Sequence, residues 1–253
     1  MTGTLPRRAR RIRVVALIAL GVAGIAVAAM LPRIPQDPGY HAFADRRALS
    51  EIPNALDVLS NLPFLLVGAA GLAWSADTRR VHGWERAATA ILFAGVAGTG
   101  IGSAWYHLAP GNTRLVWDRL PMTIVFMTLL AFVVADRVGE RTGRALLPVL
   151  LIAGVGSVAY WALVDDDLRA YGVVQFFPML AIPFLLLAFP SARGRDLDLW
   201  SAGVCYAVSK VTEHFDGAIF ALGGVVSGHT LKHLLAGAGT ALILSWIVRR
   251  STT

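Results

Sequence analysis

The sequence predicts an all-α membrane protein: a core of seven transmembrane helices with an additional N-terminal transmembrane helix. Three observations carry that expectation. Hydrophobic residues make up 56% of the 253 residues and charged residues 15%, whereas a soluble domain carries about 25% charged residues. The mean hydropathy is +0.61. The apolar residues also gather into runs of about 20, the length that spans a bilayer as helix. These runs are continuously apolar rather than alternating, which favours helices over a barrel.

Eight runs follow one another. The first, about Val14 to Leu31, comes after an arginine-rich start and ends in small residues near Ala26 to Ala29. Those are signal-peptide features, but the apolar stretch is long for a signal core and favours a retained anchor. Residues 1–32 are thus expected to form a basic N-terminus plus the first transmembrane helix. Residues 33–253 would form the seven-helix domain, entered through a long loop from Pro32 to Pro53.

The second run, about Asn54 to Trp74, carries the polar stripe Asn54, Asp57 and Asn61. Helix-to-helix hydrogen bonding explains such a stripe; a structural cation or support for a neighbouring site is the sharper reading. The third run, about Trp84 to His107, contains GVAGTGIGS. This mimics a dinucleotide-binding loop, but no strand precedes it, so Gly95, Gly98 and Gly102 are read as close-packing positions. The fourth, about Arg114 to Ala135, follows the short connection LAPGNT and should pair with the third as a hairpin. The remaining runs are about Ala145 to Val164, Tyr171 to Phe189, Leu199 to Phe220 and His229 to Val248. Pro121, Pro148, Pro178 and Pro183 fall inside runs, where they would kink helices and open space between them. Lys210 and Glu213 are three apart and should pair. Asp165, Asp166 and Asp167 read as a solvated loop.

Orientation comes from the arginines. One side would carry 15 of them, including Arg7, Arg79, Arg80, Arg137, Arg193, Arg195 and Arg250, and the other only Arg33, Arg46, Arg47, Arg114 and Arg169. The positive-inside rule then puts both termini in the cytoplasm. The net charge of +7 is a topology signal. No basic groove with interleaved aromatics accompanies it, so nucleic-acid binding is not expected. With 21 arginines and 2 lysines, the chain looks like the product of a GC-rich bacterial genome, and a bacterial plasma membrane is the expected location. Cys205 is the only cysteine, which excludes an intramolecular disulfide and a thiolate metal site.

Polar residues capable of binding metal are costly in a bilayer and need a reason to be there. Ser103 and His107 lie four apart at the outer end of the third run. His229 and His233 lie four apart at the outer start of the eighth. Residues at that spacing share a helix face. Asp118 is one turn into the fourth run, back at the level of His107. The arginine-derived topology puts all five in the outer leaflet. Three imidazoles plus a water make a common catalytic zinc shell, in which the metal acidifies the water and polarises a carbonyl. Asp118 would orient that water or serve as general base. Ser103 would donate to a developing oxyanion or act as a nucleophile. Taken singly, the same residues have plainer roles: an SxxxH serine often bonds back to its own helix, and an aspartate at a helix start often caps it. Convergence at one depth, in a chain with six histidines, favours the shared site. His41 and His82 read as solvated and His214 as interfacial.

These motifs resemble the alkaline ceramidase family, within the CREST superfamily of membrane hydrolases. The resemblance runs from Phe43 to about Gly237. It rests on SxxxH at Ser103 and His107, DxxPM from Asp118 to Met122, GHxxxH from Gly228 to His233, and IPNALDVLSN from Ile52 to Asn61. It implies a seven-helix core and hydrolysis of the N-acyl bond of ceramide or a related lipid amide to a fatty acid and a sphingoid base. Zinc would be bound by His107, His229 and His233, with Ser103 and Asp118 beside the water. Animal members also bind calcium through an acidic cluster. Here only Asp45, Glu51, Asn54 and Asp57 stand near the corresponding place, at different spacing, which weakens the case for calcium. Two other readings stand beside this one: a seven-helix receptor or scaffold with a structural zinc, and a hydrolase of another lipid bond such as a glycerolipid ester. A transporter would be expected to show an inverted repeat with matching broken helices, and neither is present.

Overall fold

Every predicted run is helical in the computed structural model, which describes residues 6–77, 83–191 and 196–251. The helices are α1 (Arg7–Met30), α2 (Ala55–Leu59), α3 (Leu62–Ala76), α4 (Gly83–Leu108), α5 (Asn112–Arg137), α6 (Glu140–Leu163), α7 (Arg169–Ala188), α8 (Leu197–His214), α9 (Asp216–Ala221) and α10 (Gly228–Ser251). Among the described residues, α1, the α2–α3 pair, α4, α5, α6, α7 and α10 are long and apolar enough to cross a membrane. The protein is an all-α, multi-pass membrane protein. The predicted seventh run, α8, is 18 residues long. Asp198, Lys210 and Glu213 keep its composition below that of the other spans.

Two predicted runs are broken, the first at a proline and the second where a side chain is taken by distant backbone. Pro63 has no N–H to give the carbonyl of Leu59, so the helix ends and restarts with proline in the first turn of α3. The run Leu199 to Phe220 divides at Phe215 into α8 and α9. There the carboxylate of Asp216 is drawn off to the backbone N–H groups of His229, at 2.7 Å, and Ala44, at 2.9 Å. Pro121, Pro148, Pro178 and Pro183 all lie inside helices, as expected.

Close packing between α4 and α5 follows from small residues. A Cβ on Gly102 would stand 1.8 Å from the carbonyl oxygen of Trp117, and Gly95 and Gly98 face Val125 and Pro121 at 3.0 and 3.1 Å. The GVAGTGIGS run is thus a helix face, not a phosphate loop. The main apolar core joins α3, α4, α5, α7, α8 and α10 through residues such as Phe64, Leu92, Phe93, Phe132, Leu185 and Trp246.

The two ends of the bundle differ. At one end, Arg10 donates to the carbonyl of Val138 and Arg13 to that of Ala188. Arg137 pairs with Asp136 and Asp196, and Arg250 with Glu85. At the other end stand the predicted site residues. Arg79, Arg80, His82, Arg193 and Arg195 lie outside the described residues. α1 packs along α7, where a Cβ added to Gly21 would stand 3.4 Å from the ring of Phe177, and turns Ile12, Ile18, Val22 and Ile25 outward.

The loop after α1 corrects two expectations. Asp165, Asp166 and Asp167 are not simply solvated. Asp165 pairs with Arg33 at 3.1 Å. Asp166 accepts from the indole of Trp161 at 3.0 Å and from the backbone of Gln36 at 3.2 Å. Asp167 is 2% exposed and accepts from Arg169. The Arg169 guanidinium, hydrogen-bonded to Asp167, holds that carboxyl down at about 2. Together they clasp residues 31–36 to the α6–α7 connection. His41 is not free either: its ring contacts the Tyr106 hydroxyl at 2.8 Å and the Asn112 side chain at 2.9 Å. The partners lie far along the sequence, where local composition gives no sign of them.

Candidate metal centre

His107 comes from the last turn of α4, His229 and His233 from the first turns of α10. Gly228 makes the second placement possible, since a Cβ there would lie 2.1 Å from the carbonyl of Thr212 and 2.7 Å from Asp216 Cα. α10 therefore starts hard against the end of α8, with Asp216 capping the N–H of His229. On the other side, the Asn54 side chain donates to the carbonyl of His107 at 2.8 Å, and Thr230 donates to Asp57 at 2.7 Å. The polar stripe of the second run thus ties α2 to both ligand-bearing helices.

The three histidines are 1%, 4% and 3% exposed, and their ligand atoms all lie within 4.8 Å of one another. The cluster can hold a metal ion. Nε2 of His107 and Nε2 of His229 are 3.3 Å apart. Two nitrogens bonded to one tetrahedral zinc at about 2.0–2.1 Å would be about 3.3 Å apart. Ser60 and the carbonyl of Asp57 face Nδ1 of His233 and favour the tautomer that carries its proton there. The single hydroxyl hydrogen of Ser60 goes to the carbonyl of Asp57 at 3.1 Å, so its oxygen accepts from Nδ1 of His233 at 2.8 Å. The Nε2 lone pair is then left facing the cluster, the role outer-shell partners commonly play for metal-bound imidazoles. Phe43 covers His107 and His229, with ring centroids 4.6 and 4.5 Å away.

Ser103 and Asp118 join this site. Ser103 Oγ is 3.5 Å from Nε2 of His233. Asp118, 6% exposed, faces Ser103, because Gly102 lets the α5 backbone at Trp117 and Asp118 rest against α4. The Asp118 carboxylate lies outside the three-histidine group. All five residues predicted from the sequence therefore meet at one end of the bundle. His214 stays apart from them, exposed and packed on Phe215 at 4.8 Å.

Four neighbours were missed in the sequence. Ser60 and Asp216 orient the ligands, and Phe43 covers them. Lys232 reaches within 3.5 Å of Nε2 of His229 and is held by Glu213 at 2.6 Å. Glu213 also pairs with Lys210, as expected, and accepts from the Tyr40 hydroxyl at 3.4 Å. Burial holds the Tyr40 phenol above its ordinary range, so it stays protonated and donates. The signal for Lys232 was available: a lysine between the two histidines of a membrane helix needs a counter-charge.

A cavity of about 640 Å³ runs from Ser103, Asp118 and His233 into the bundle, past Val125, Leu129, Ile182 and Ile243. It reaches the surface between α7 and α8, where Phe176, Gly203, Val204 and Ala207 line it and are also exposed. These two helices are not packed backbone to backbone. Its volume falls within the about 300–1,000 Å³ of ligand sites, and its apolar walls with a few convergent polar groups are the usual composition of one.

Comparison with protein-family models, with curated proteins and with solved structures gave no match.

Proposed function

We propose that the protein is a zinc-dependent membrane amidase that hydrolyses the N-acyl bond of ceramide or a related lipid amide to a fatty acid and a long-chain amine. The observation that carries this reading is the junction of three buried histidines with Ser103 and Asp118 at the polar end of a long apolar cavity. An acyl chain fits the apolar length, and its carbonyl then lies at the polar end.

His107, His229 and His233 would hold the ion. When bound, zinc in a three-imidazole shell supplies a Lewis acid and a water of near-neutral pKa. Asp118 takes the proton of the attacking water and passes it to the departing amine. The Ser103 hydroxyl donates to the oxyanion that develops on the carbonyl oxygen. Lys232 adds positive charge next to the same carbonyl. Phe43 and the core behind it keep bulk water away, which strengthens each of these interactions. Three ligands with Asp118 outside the group favour an open catalytic site over a closed structural one. The arginine distribution supports cytoplasmic termini, with the site toward the outer leaflet of a bacterial plasma membrane.

The test is fatty-acid release by the detergent-purified protein from a panel of lipid amides and esters, with and without a zinc chelator. Chelator-sensitive cleavage of amides is the expected result. Ester-only cleavage would replace the amidase reading, and a protein with one zinc per chain that cleaves nothing would overturn it in favour of a receptor or scaffold.

A further inference from the structure

Five charged side chains line the cavity: Asp118, Arg119, Lys210, Glu213 and Lys232. Four have evident work. Asp118 faces Ser103, and both lysines bind Glu213. Arg119 is different. It is 5% exposed, yet among the described residues its side chain makes no hydrogen bond or ion pair, and its Nη1 is buried without a partner. Three aromatic faces hold it instead. Its guanidinium carbon is 5.4 Å from the ring of Tyr40, 4.5 Å from Trp161 and 4.9 Å from Tyr171.

An aromatic box fixes the position of a guanidinium and offsets part of its burial cost. It leaves the planar N–H donors unused, and those match the two oxygens of a carboxylate. Asp118 acts on the guanidinium through space but accepts none of its N–H groups, and buried donors left unused inside a bundle are costly. The cavity supplies the space for their partner, and the box stands near the metal centre. Tyr40, against Arg119, donates to Glu213; Glu213 holds Lys232, and Lys232 touches His229.

We infer that Arg119 forms a subsite for an anionic group on the amine-derived head of the lipid. Within the proposed class, the preferred substrate is then an N-acyl lipid whose head carries a carboxylate or a similar anion, ahead of ceramide itself, whose head is an uncharged alcohol. This inference rests on the amidase reading only for the word substrate; the subsite itself is a binding claim.

The experiment compares N-palmitoylglycine with N-palmitoylethanolamine, which share an acyl chain and an amide and differ in carboxylate against alcohol. Thermal stabilisation of the detergent-purified protein reads binding, and release of palmitate reads turnover. The wild-type protein is expected to be stabilised more by the carboxylate lipid and to cleave it with a kcat/KM about tenfold higher. Arg119→Gln is expected to abolish both preferences and Arg119→Lys to retain part of them. The ratio between lipids cancels any general loss of folded protein. Equal stabilisation by the two lipids in the wild type overturns the subsite, and so does a preference that survives in Arg119→Gln. A preference in binding that depends on Arg119, with neither of these lipids nor ceramide cleaved, supports the subsite and removes the amidase reading instead.

Discussion

Ser60 and His233 are 173 residues apart in sequence, and Ser60 Oγ lies 2.8 Å from Nδ1 of the imidazole. With the Ser60 hydrogen given to the carbonyl of Asp57 at 3.1 Å, the imidazole donates from Nδ1 and presents Nε2 inward. Removing the hydroxyl frees the ring to turn and to change tautomer. Ser60→Ala is therefore expected to lower zinc affinity about 10- to 100-fold, read by competition with a chelator of known affinity, without loss of the folded state. Unchanged affinity would deny Ser60 its orienting role.

The ligands themselves should be indispensable. His107→Ala, His229→Ala and His233→Ala are each expected to purify with well under one zinc per chain, measured by elemental analysis, and to be inactive in fatty-acid release. An alanine variant that keeps its zinc would remove that histidine from the shell.

Asp118 can be separated from metal binding, since its carboxylate stands outside the histidine group. Asp118→Asn is expected to retain zinc and to lose about 10²- to 10⁴-fold in kcat, the usual contribution of a positioned general base. Full turnover in this variant would end its role in proton transfer.

Gly102 tests the packing that brings Asp118 to Ser103. A methyl group there would collide with the Trp117 carbonyl at 1.8 Å, and that oxygen is backbone and cannot swing away. Gly102→Ala is expected to cost about 1–3 kcal/mol of stability and to reduce turnover by moving Asp118. Gly24→Ala has nothing within 4 Å of the added carbon and should leave the melting temperature unchanged. Equal melting temperatures for the two variants would refute this account of the α4–α5 contact.

Acid should loosen the clasp between the loop after α1 and the α6–α7 connection. The Asp167 carboxyl is held at about 2 in the folded protein, below its ordinary 3.8, chiefly by its hydrogen bond with Arg169. A depressed folded value means that the unfolded chain takes up the proton first. The stabilisation is thus complete above about pH 4 and fades as the pH falls toward about 2. Asp167→Asn is expected to melt lower than wild type at pH 7 and level with it near pH 2. A constant difference across that range would show that the carboxylate charge is not what holds the loop.

Much of the centre was legible because membrane burial makes polar residues conspicuous. His107, His229 and His233 announced themselves by four-residue spacing and by a depth shared with Ser103 and Asp118. Gly95, Gly98 and Gly102 were legible as contacts for the same reason, being small residues on one helix face. Ser60 and Asp216 were not, because each lies at a helix break, and the apolar pattern runs straight through the breaks. Asp165 to Asp167 and His41 misled because an acidic or histidine-bearing loop reads as solvated unless its distant partners are known. Arg119 was not legible, because its aromatic box draws on Tyr40, Trp161 and Tyr171, three separate parts of the chain.

For the proposed lipid substrate, the seam between α7 and α8 changes what concentration means. A ligand that arrives through a side opening comes out of the surrounding lipid, so its supply is set by its mole fraction in that phase and not by its amount per litre of water. Adding inert detergent or phospholipid at constant total substrate dilutes the ligand in two dimensions and should slow turnover, although nothing in the bulk solution has changed. Rates measured in different micelles then become comparable only when expressed per surface, and lateral crowding by other lipids becomes a regulator of turnover in its own right.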